Sequence, residues 1–270
     1  MRATVFLLLL LMTAAATPAQ ACGPDSDCQI GDRIYRIKMP DGHDGTSPVG
    51  AIVFAHGYRG TAAGIMANEN LVSLASELGV ALIGAKSASN DWSIANAPSD
   101  ETIEGVDEVA YFERLLDDAS ERFPINRNRV MATGFSAGGM MVWTLACDRS
   151  DLFSAYAPMA GVFWRPIPET CASPPTSVMH IHGDDDKIVP LEGRPIQDTH
   201  QGNVHDVMAM YARHGSFGDA KTVENAGMRC EQHVNTDGHF LDFCLFSGGH
   251  SFSIDYLRFA WERFEQAGKL

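Results

Sequence analysis

Apolar residues follow two alternating rhythms along most of this chain. One is the short unbroken run, at residues 50–55 and 80–85 and again at 129–133, 154–158 and 177–182. Runs this short, with few polar interruptions, predict strands covered on both faces, as in a parallel sheet. The other is helical spacing. Val106, Val109, Phe112, Leu115 and Leu116 recur at three- and four-residue steps and predict a long helix over 101–122. Further helices are predicted over 71–78, 139–146, 204–213 and 252–266. Residues 33–39, with Ile34 and Ile37 flanking Tyr35, predict an outer strand, and 221–224 and 239–246 read as the last strands, which could pair as a hairpin. Strands alternating with helices imply an α/β fold, a mostly parallel central sheet with helices on both faces.

Residues 1–21 follow neither rhythm. Arg2, an apolar stretch over 5–12 and the small-x-small sequence Ala19-Gln20-Ala21 predict a signal peptide. The apolar stretch is too short to cross a membrane, and no later run approaches the roughly 18 apolar residues a span needs. Residues 22–270 are then a single domain, secreted to the periplasm or the cell exterior. The net charge of −14 becomes one unit more negative once Arg2 is removed. Such a surface disfavours nucleic acid and anionic membranes as partners. Six cysteines remain, an even number in an exported chain, and they predict disulfides. Many connectivities are open; three local pairs are favoured, Cys22–Cys28, Cys147–Cys171 and Cys230–Cys244. No C-x-x-C pattern points to zinc or redox chemistry.

The chemistry begins at Gly134-Phe135-Ser136-Ala137-Gly138, between the strand predicted over 129–133 and the helix over 139–146. A G-x-S-x-G turn from strand to helix is the nucleophile elbow of an α/β-hydrolase. In so sharp a turn a side chain at either glycine would collide with the neighbouring strand or helix. The turn lifts the Ser136 hydroxyl clear of the sheet, which makes Ser136 the candidate nucleophile. The pentapeptide alone would equally suit a Gly/Ser-rich loop, so its partners decide.

A serine needs a base within reach and a third group to orient that base, in the chain order Ser, acid, His for this fold. His182-Gly183-Asp184-Asp185-Asp186 follows a predicted strand, where ligand-facing loops of open α/β sheets lie. Adjacent carboxylates point in different directions, so at most one of the three faces the base. Gly248-Gly249-His250 follows the last strand, and of the ten histidines only His250 combines chain order, location and a tight glycine turn. His180 and His182 share one face of their strand and suit core roles. The oxyanion needs two aligned amides, one from Ala137 after the nucleophile and one from the loop His56-Gly57-Tyr58, where Tyr58 is the candidate. Trp92 and Trp164, in loops after predicted strands, are candidate pocket walls, against the plainer role of partly buried aromatics.

Gly105-Val106-Asp107-Glu108-Val109, residues 125–130 and Thr133-Gly134-Phe135-Ser136-Ala137-Gly138-Gly139-Met140 resemble the secreted polyhydroxybutyrate depolymerase-like esterases. These are similar in turn to feruloyl and acetylxylan esterases of the first carbohydrate-esterase family. The His56-Gly57 loop, His182-Gly183-x-x-Asp186-x-x-Val189-Pro190 and Gly248-Gly249-His250 match in the same order, so the resemblance spans residues 33–258. It implies an α/β-hydrolase acting on esters through an acyl-enzyme, with no metal or organic cofactor. It also implies that the acid is Asp186, the aspartate three residues before the Val-Pro pair. The chain departs from the pattern at Ser251-Phe252-Ser253, where relatives often carry a small residue, Trp and Pro. It departs again at His214-Gly215-Ser216, where they often carry Asn-Gly-Cys.

The expected activity is therefore a serine carboxylic-ester hydrolase with a small or oligomeric ester as substrate. A serine peptidase of the same fold, similar to prolyl oligopeptidases, lacks its gating domain here. A non-catalytic binding protein has no need of the three chemical groups together.

Overall fold

A computed structural model of the chain describes residues 22–98 and 103–270. The expected signal peptide, 1–21, lies outside the described residues. In chain order the elements are β1 (Cys28–Ile30), β2 (Arg33–Lys38), β3 (Val49–Ala55), α1 (Ala62–Met66), α2 (Glu69–Glu77) and β4 (Ala81–Ala85). Then come α3 (Glu108–Arg122), β5 (Ile125–Phe135), α4 (Ala137–Asp148), β6 (Ala155–Met159) and β7 (Val178–Gly183). The two-residue strands β8 (Pro195–Ile196) and β9 (Thr199–His200) precede α5 (Val204–His214), β10 (Lys221–Asn225), β11 (Met228–Val234), β12 (Phe240–Phe246) and α6 (Ile254–Gln266).

Among the described residues ten strands form one sheet in the order β1-β2-β4-β3-β5-β6-β7-β12-β11-β10. From β4 to β12 every pairing is parallel, and both edges are antiparallel. The two-residue period of a strand divides the core cleanly. In β3, Ala51, Val53 and Ala55 pack toward one face with α3, α4 and α5. Ile52 and Phe54 pack toward the other with α1, α2 and α6. Apolar residues on both sides of one strand are what turned residues 50–55 into an unbroken run.

Two predicted elements need correction. The helix expected over 101–122 begins at Glu108, capped by the Asp107 side chain, which accepts from Ala110 N. Val106 therefore precedes the helix, and residues 101 and 102 lie outside the described residues. The supposed hairpin of 221–224 and 239–246 is a three-stranded meander: β11 sits between β10 and β12 and pairs with both. Its sequence, Met228-Arg229-Cys230-Glu231-Gln232-His233-Val234, buries only Met228 and Cys230, so it carries no apolar run.

The disulfides join Cys22 to Cys28, Cys147 to Cys171 and Cys230 to Cys244. The last links directly paired positions of β11 and β12. The second fastens the end of α4 to the loop before β7 across 24 residues. Closing a loop of that length in the unfolded chain stabilises by about 3 kcal/mol in the chain-entropy view. Replacing both Cys147 and Cys171 by Ala is expected to lower the unfolding free energy by about that amount. Urea titrations of the two proteins measure it, and coincident curves would refute it.

Candidate active site

The parallel strands all point their carboxyl ends at one edge of the sheet, and every predicted functional loop leaves from that edge. Ser136 follows β5, the aspartates follow β7, His250 follows β12, and the His56 loop follows β3.

Ser136 is the N-cap of α4, with φ 60° and ψ −121°, in the left-handed half of the map. Such strain in a residue with a side chain persists only where the surroundings enforce it. The surroundings are bare backbone. A Cβ on Gly134 would lie 2.5 Å from Gly138 O, and one on Gly138 would lie 1.9 Å from Ala55 O. One on Gly161 would lie 2.1 Å from Ser136 O. The five other helices among the described residues are each capped by a side chain that accepts from a first-turn amide, at Thr61, Asn68, Asp107, Asn203 and Ser253. Ser136 makes no such bond. Its hydroxyl is kept out of the usual helix-capping role and lines a cavity instead.

Asp186 and His250 meet although 64 residues separate them, with His250 Nδ1 2.6 Å from Asp186 Oδ2. Strands β7 and β12 pair in parallel, so their following loops start side by side. Those loops are then zipped together. Asp184 N donates to Phe246 O at 3.0 Å and Asp185 N to Gly248 O at 2.9 Å. Gly248 N donates back to Asp184 Oδ1 at 2.9 Å. Gly183 must be bare, since a Cβ there would lie 2.4 Å from Gly249 O. The three aspartates thus part ways. Asp184 ties the histidine turn, Asp185 pairs with Lys187 in solvent, and only Asp186 is buried, against His250. The His250 ring lies 4.6 Å from that of Phe135, the neighbour of Ser136.

Burial works against a charged Asp186. The hydrogen bond from His250 and those from Val189 N (2.9 Å) and Ile188 N (2.8 Å) to Oδ1 outweigh it, and its pKa lies below the ordinary carboxylate value. Behind it runs a buried chain of rings. An indole N–H can only donate. Trp143 Nε1 therefore donates to His180 Nδ1 at 3.2 Å, His180 Nε2 to His182 Nδ1 at 3.0 Å, and His182 Nε2 to Val189 O at 2.8 Å. Both imidazoles are neutral in this chain. Burial pushes their pKa values down, that of His180 well below the ordinary range.

The loop after β3 is equally determined. His56 Nε2 accepts from Ser87 N at 3.1 Å, so Nδ1 carries the proton and donates to Gly57 O at 2.7 Å. Burial lowers the His56 pKa to about 4. Trp92 Nε1 donates to His56 O at 2.8 Å, and its ring packs against His56 and Phe112. This corrects the expectation for Trp92. It is 1% exposed and does not line the cavity with Ser136; it braces the His56 loop from within. The amides following Tyr58 are engaged, Arg59 N with Asn90 O and Gly60 N with Gly57 O. Tyr58 itself lines the cavity, together with Ala137 and Trp164.

Three histidines buried in neutral form make the fold acid-sensitive. Between the unfolded value of 6.5 and about 4, the unfolded chain binds a proton at His56 that the folded chain refuses, so stability falls as pH falls through that window. His56 alone accounts for about 3 kcal/mol across the window, and His180 and His182 act in the same direction. The urea midpoint is expected to drop clearly between about pH 7 and about pH 5. A constant midpoint would rule the neutral assignments out.

The cavity above Ser136 holds about 280 Å³. Beyond the expected residues, its wall includes Met140, Ile188, Arg194, Ile196 and Gln201. Four of these come from the stretch 188–201, which has no strand or helix longer than two residues. No periodicity marks such a segment, so the pattern of the sequence did not single it out.

The profile of the family described as Phospholipase/Carboxylesterase matches residues 92–214. Putative esterase NocK of Nocardia uniformis subsp. tsuyamanensis is 30% identical over 168 residues, 60% of this chain and 47% of that protein. The chain thus spans about half the length of NocK. Feruloyl esterase D of Neurospora crassa is 25% identical over 225 residues, 73% of either chain. Among solved structures, acetyl xylan esterase from Aspergillus awamori superposes with a TM-score of 0.61 at 16% identity, over 91% of this chain and 99% of that one. At that identity the likeness concerns the fold.

Proposed function

We propose that the chain is a carboxylic-ester hydrolase similar to the feruloyl esterases, that Ser136, His250 and Asp186 are its catalytic triad and that it acts outside the cytoplasm. The observation that carries the assignment is the 2.6 Å contact of His250 with the buried Asp186, beside a strained elbow whose serine faces a cavity. His250 removes the Ser136 proton as the hydroxyl oxygen attacks the ester carbonyl. Asp186 holds the His250 tautomer with Nδ1 protonated and stabilises the imidazolium that forms. The amides of Ala137 and Tyr58 receive the oxyanion; one such donor contributes on the order of 3 kcal/mol to the transition state. His250 returns the proton to the leaving alcohol. Water then attacks the acyl-enzyme with His250 again as base, releasing the acid and restoring Ser136.

Three disulfides support an oxidising compartment. Among the described residues no helix is long and apolar enough to cross a membrane. The substrate is a small or oligomeric ester. Parallel assays with a p-nitrophenyl ester and an aminoacyl anilide test the reaction class. Ester turnover is expected; turnover of the anilide alone would replace this reading with a peptidase.

A further inference from the structure

The Asp186 carboxylate takes hydrogen bonds from Ile188 N and Val189 N at Oδ1 and from His250 Nδ1 at Oδ2. One more nitrogen stands close to it. His182 Nε2 lies 3.5 Å from Oδ2, with both side chains fully buried. His182 is a residue of β7, and the proposed cycle gives it no task. Its own hydrogen bond goes to Val189 O at 2.8 Å. Val189 is thereby held at both of its polar ends: its N–H donates to Asp186 Oδ1, and its carbonyl accepts from His182. Through that residue the turn carrying the acid is fastened to the sheet. Without the imidazole, the carbonyl of the buried Val189 loses its donor, and the turn that aims Oδ2 at His250 loses an anchor.

The tautomer of His182 decides whether this contact helps. With the proton on Nε2, an N–H faces both Val189 O and the carboxylate. With the proton on Nδ1, a lone pair would face both and be repelled by both. The fold fixes the choice from the two ends of a buried chain. At one end Trp143 Nε1 can only donate, to His180 Nδ1; at the other Val189 O can only accept, from His182 Nε2. Between them His180 Nε2 lies 3.0 Å from His182 Nδ1. For neutral rings a single proton arrangement gives every link a donor and an acceptor, and it turns an N–H of His182 toward the acid. Trp143 belongs to α4, the helix that Ser136 opens, and both histidines belong to β7, which leads to Asp186. The chain therefore joins the helix of the nucleophile to the loop of the acid through the core.

We propose that His182 is a positioning residue for the catalytic acid, and that His180 and Trp143 serve it by fixing its tautomer. His182 Nε2–H holds the turn of residues 186–189 through Val189 O and presents the positive end of its bond dipole to Oδ2. Asp186 is then fixed in place while Oδ2 keeps its short bond with His250. A neutral donor suits this position. A cation there would compete with the His250 imidazolium for the same carboxylate. The inference rests on the reading of Ser136, His250 and Asp186 as the triad, and it adds the group that holds the third member still.

The test sets two amide substitutions against each other in the whole secreted protein. Glutamine places an NH₂ where His182 Nε2 stands. Asparagine places its amide near Nδ1, where it meets His180 but does not reach Val189. His182→Asn is expected to lower kcat on a p-nitrophenyl ester by about 10- to 100-fold, with KM within about threefold of wild type. His182→Gln is expected to keep kcat within about threefold of wild type. His182→Leu removes both polar atoms and is expected to match the loss of His182→Asn; it carries that arm if His182→Asn does not fold. A double-mutant cycle with Asp186→Asn separates positioning from support of the fold. A residue that acts through Asp186 has nothing left to act on in that background, so the double variant is expected to match Asp186→Asn within about threefold in kcat. A residue that only supports the fold would multiply the two losses. Multiplied losses, wild-type kcat in both His182→Asn and His182→Leu, or a His182→Gln protein no better than His182→Leu would overturn the positioning role and leave the triad standing. Wild-type kcat in Asp186→Asn alone would instead remove the triad reading itself.

Discussion

Ser136→Ala is expected to lower kcat on a p-nitrophenyl ester by about 10⁴- to 10⁶-fold, with little change in KM. The size follows from what is removed. The hydroxyl is the atom that forms the acyl-enzyme, and no other group beside His250 can take its place in the proposed cycle. What remains is the cavity and the oxyanion donors, which by themselves retain a small acceleration over water. The fold is expected to persist. Ser136 makes no helix-capping bond to lose, and alanine meets the same φ of 60° that serine does. Stopped-flow release of nitrophenol measures the effect, and the burst of the wild type is expected to vanish with it. Turnover within tenfold of wild type would remove Ser136 from the mechanism.

Asp186→Asn is expected to cost about 10⁴-fold in kcat, whereas Asp184→Asn stays within about tenfold of wild type. The asparagine has nearly the shape of the acid but cannot hold a charge. Two backbone amides, Ile188 N and Val189 N, need an acceptor at Oδ1. The Asn oxygen therefore turns to them and its NH₂ turns to His250, which imposes the wrong tautomer on the base. At position 184 the same change is mild. Its role is to accept from Gly248 N at an exposed site, and an amide oxygen accepts too. Loss of activity in Asp184→Asn with retention in Asp186→Asn would transfer the acid to the neighbouring loop position.

Much of this site was legible in the sequence because its geometry is local. A sharp strand-to-helix turn requires Gly134 and Gly138, and the 1.9 Å approach to Ala55 O gives that requirement a cause. The acid loop and the histidine turn were recognisable from their glycines and from their place after apolar runs. The choice among three adjacent aspartates was not legible from local chemistry, and only the family resemblance selected Asp186. Which carboxylate turns inward depends on the pairing of β7 with β12, a contact across 64 residues. Trp92 shows the opposite limit. A tryptophan in a polar loop looks like a pocket wall, yet His56 O and the Phe112 ring draw it inside. Strand β11 was invisible because one of its faces is polar.

The close backbone contacts around the elbow bear on how this protein could be re-engineered. Gly134, Gly138, Gly139 and Gly161 each face a carbonyl oxygen at 2.5 Å or less from where a methyl group would stand. A saturation library at those positions should return almost nothing but the parent. Residues 188–201 supply much of the remaining cavity wall and carry one such glycine, Gly193, whose Cβ would lie 2.3 Å from Gln201 O. Away from Gly193 and from Ile188 and Val189, whose amides hold Asp186, variation there changes the shape of the chamber without moving Ser136. Diversity aimed at new substrates belongs in that stretch, and the screen should be run at neutral pH, where the buried histidines do not penalise weakened variants.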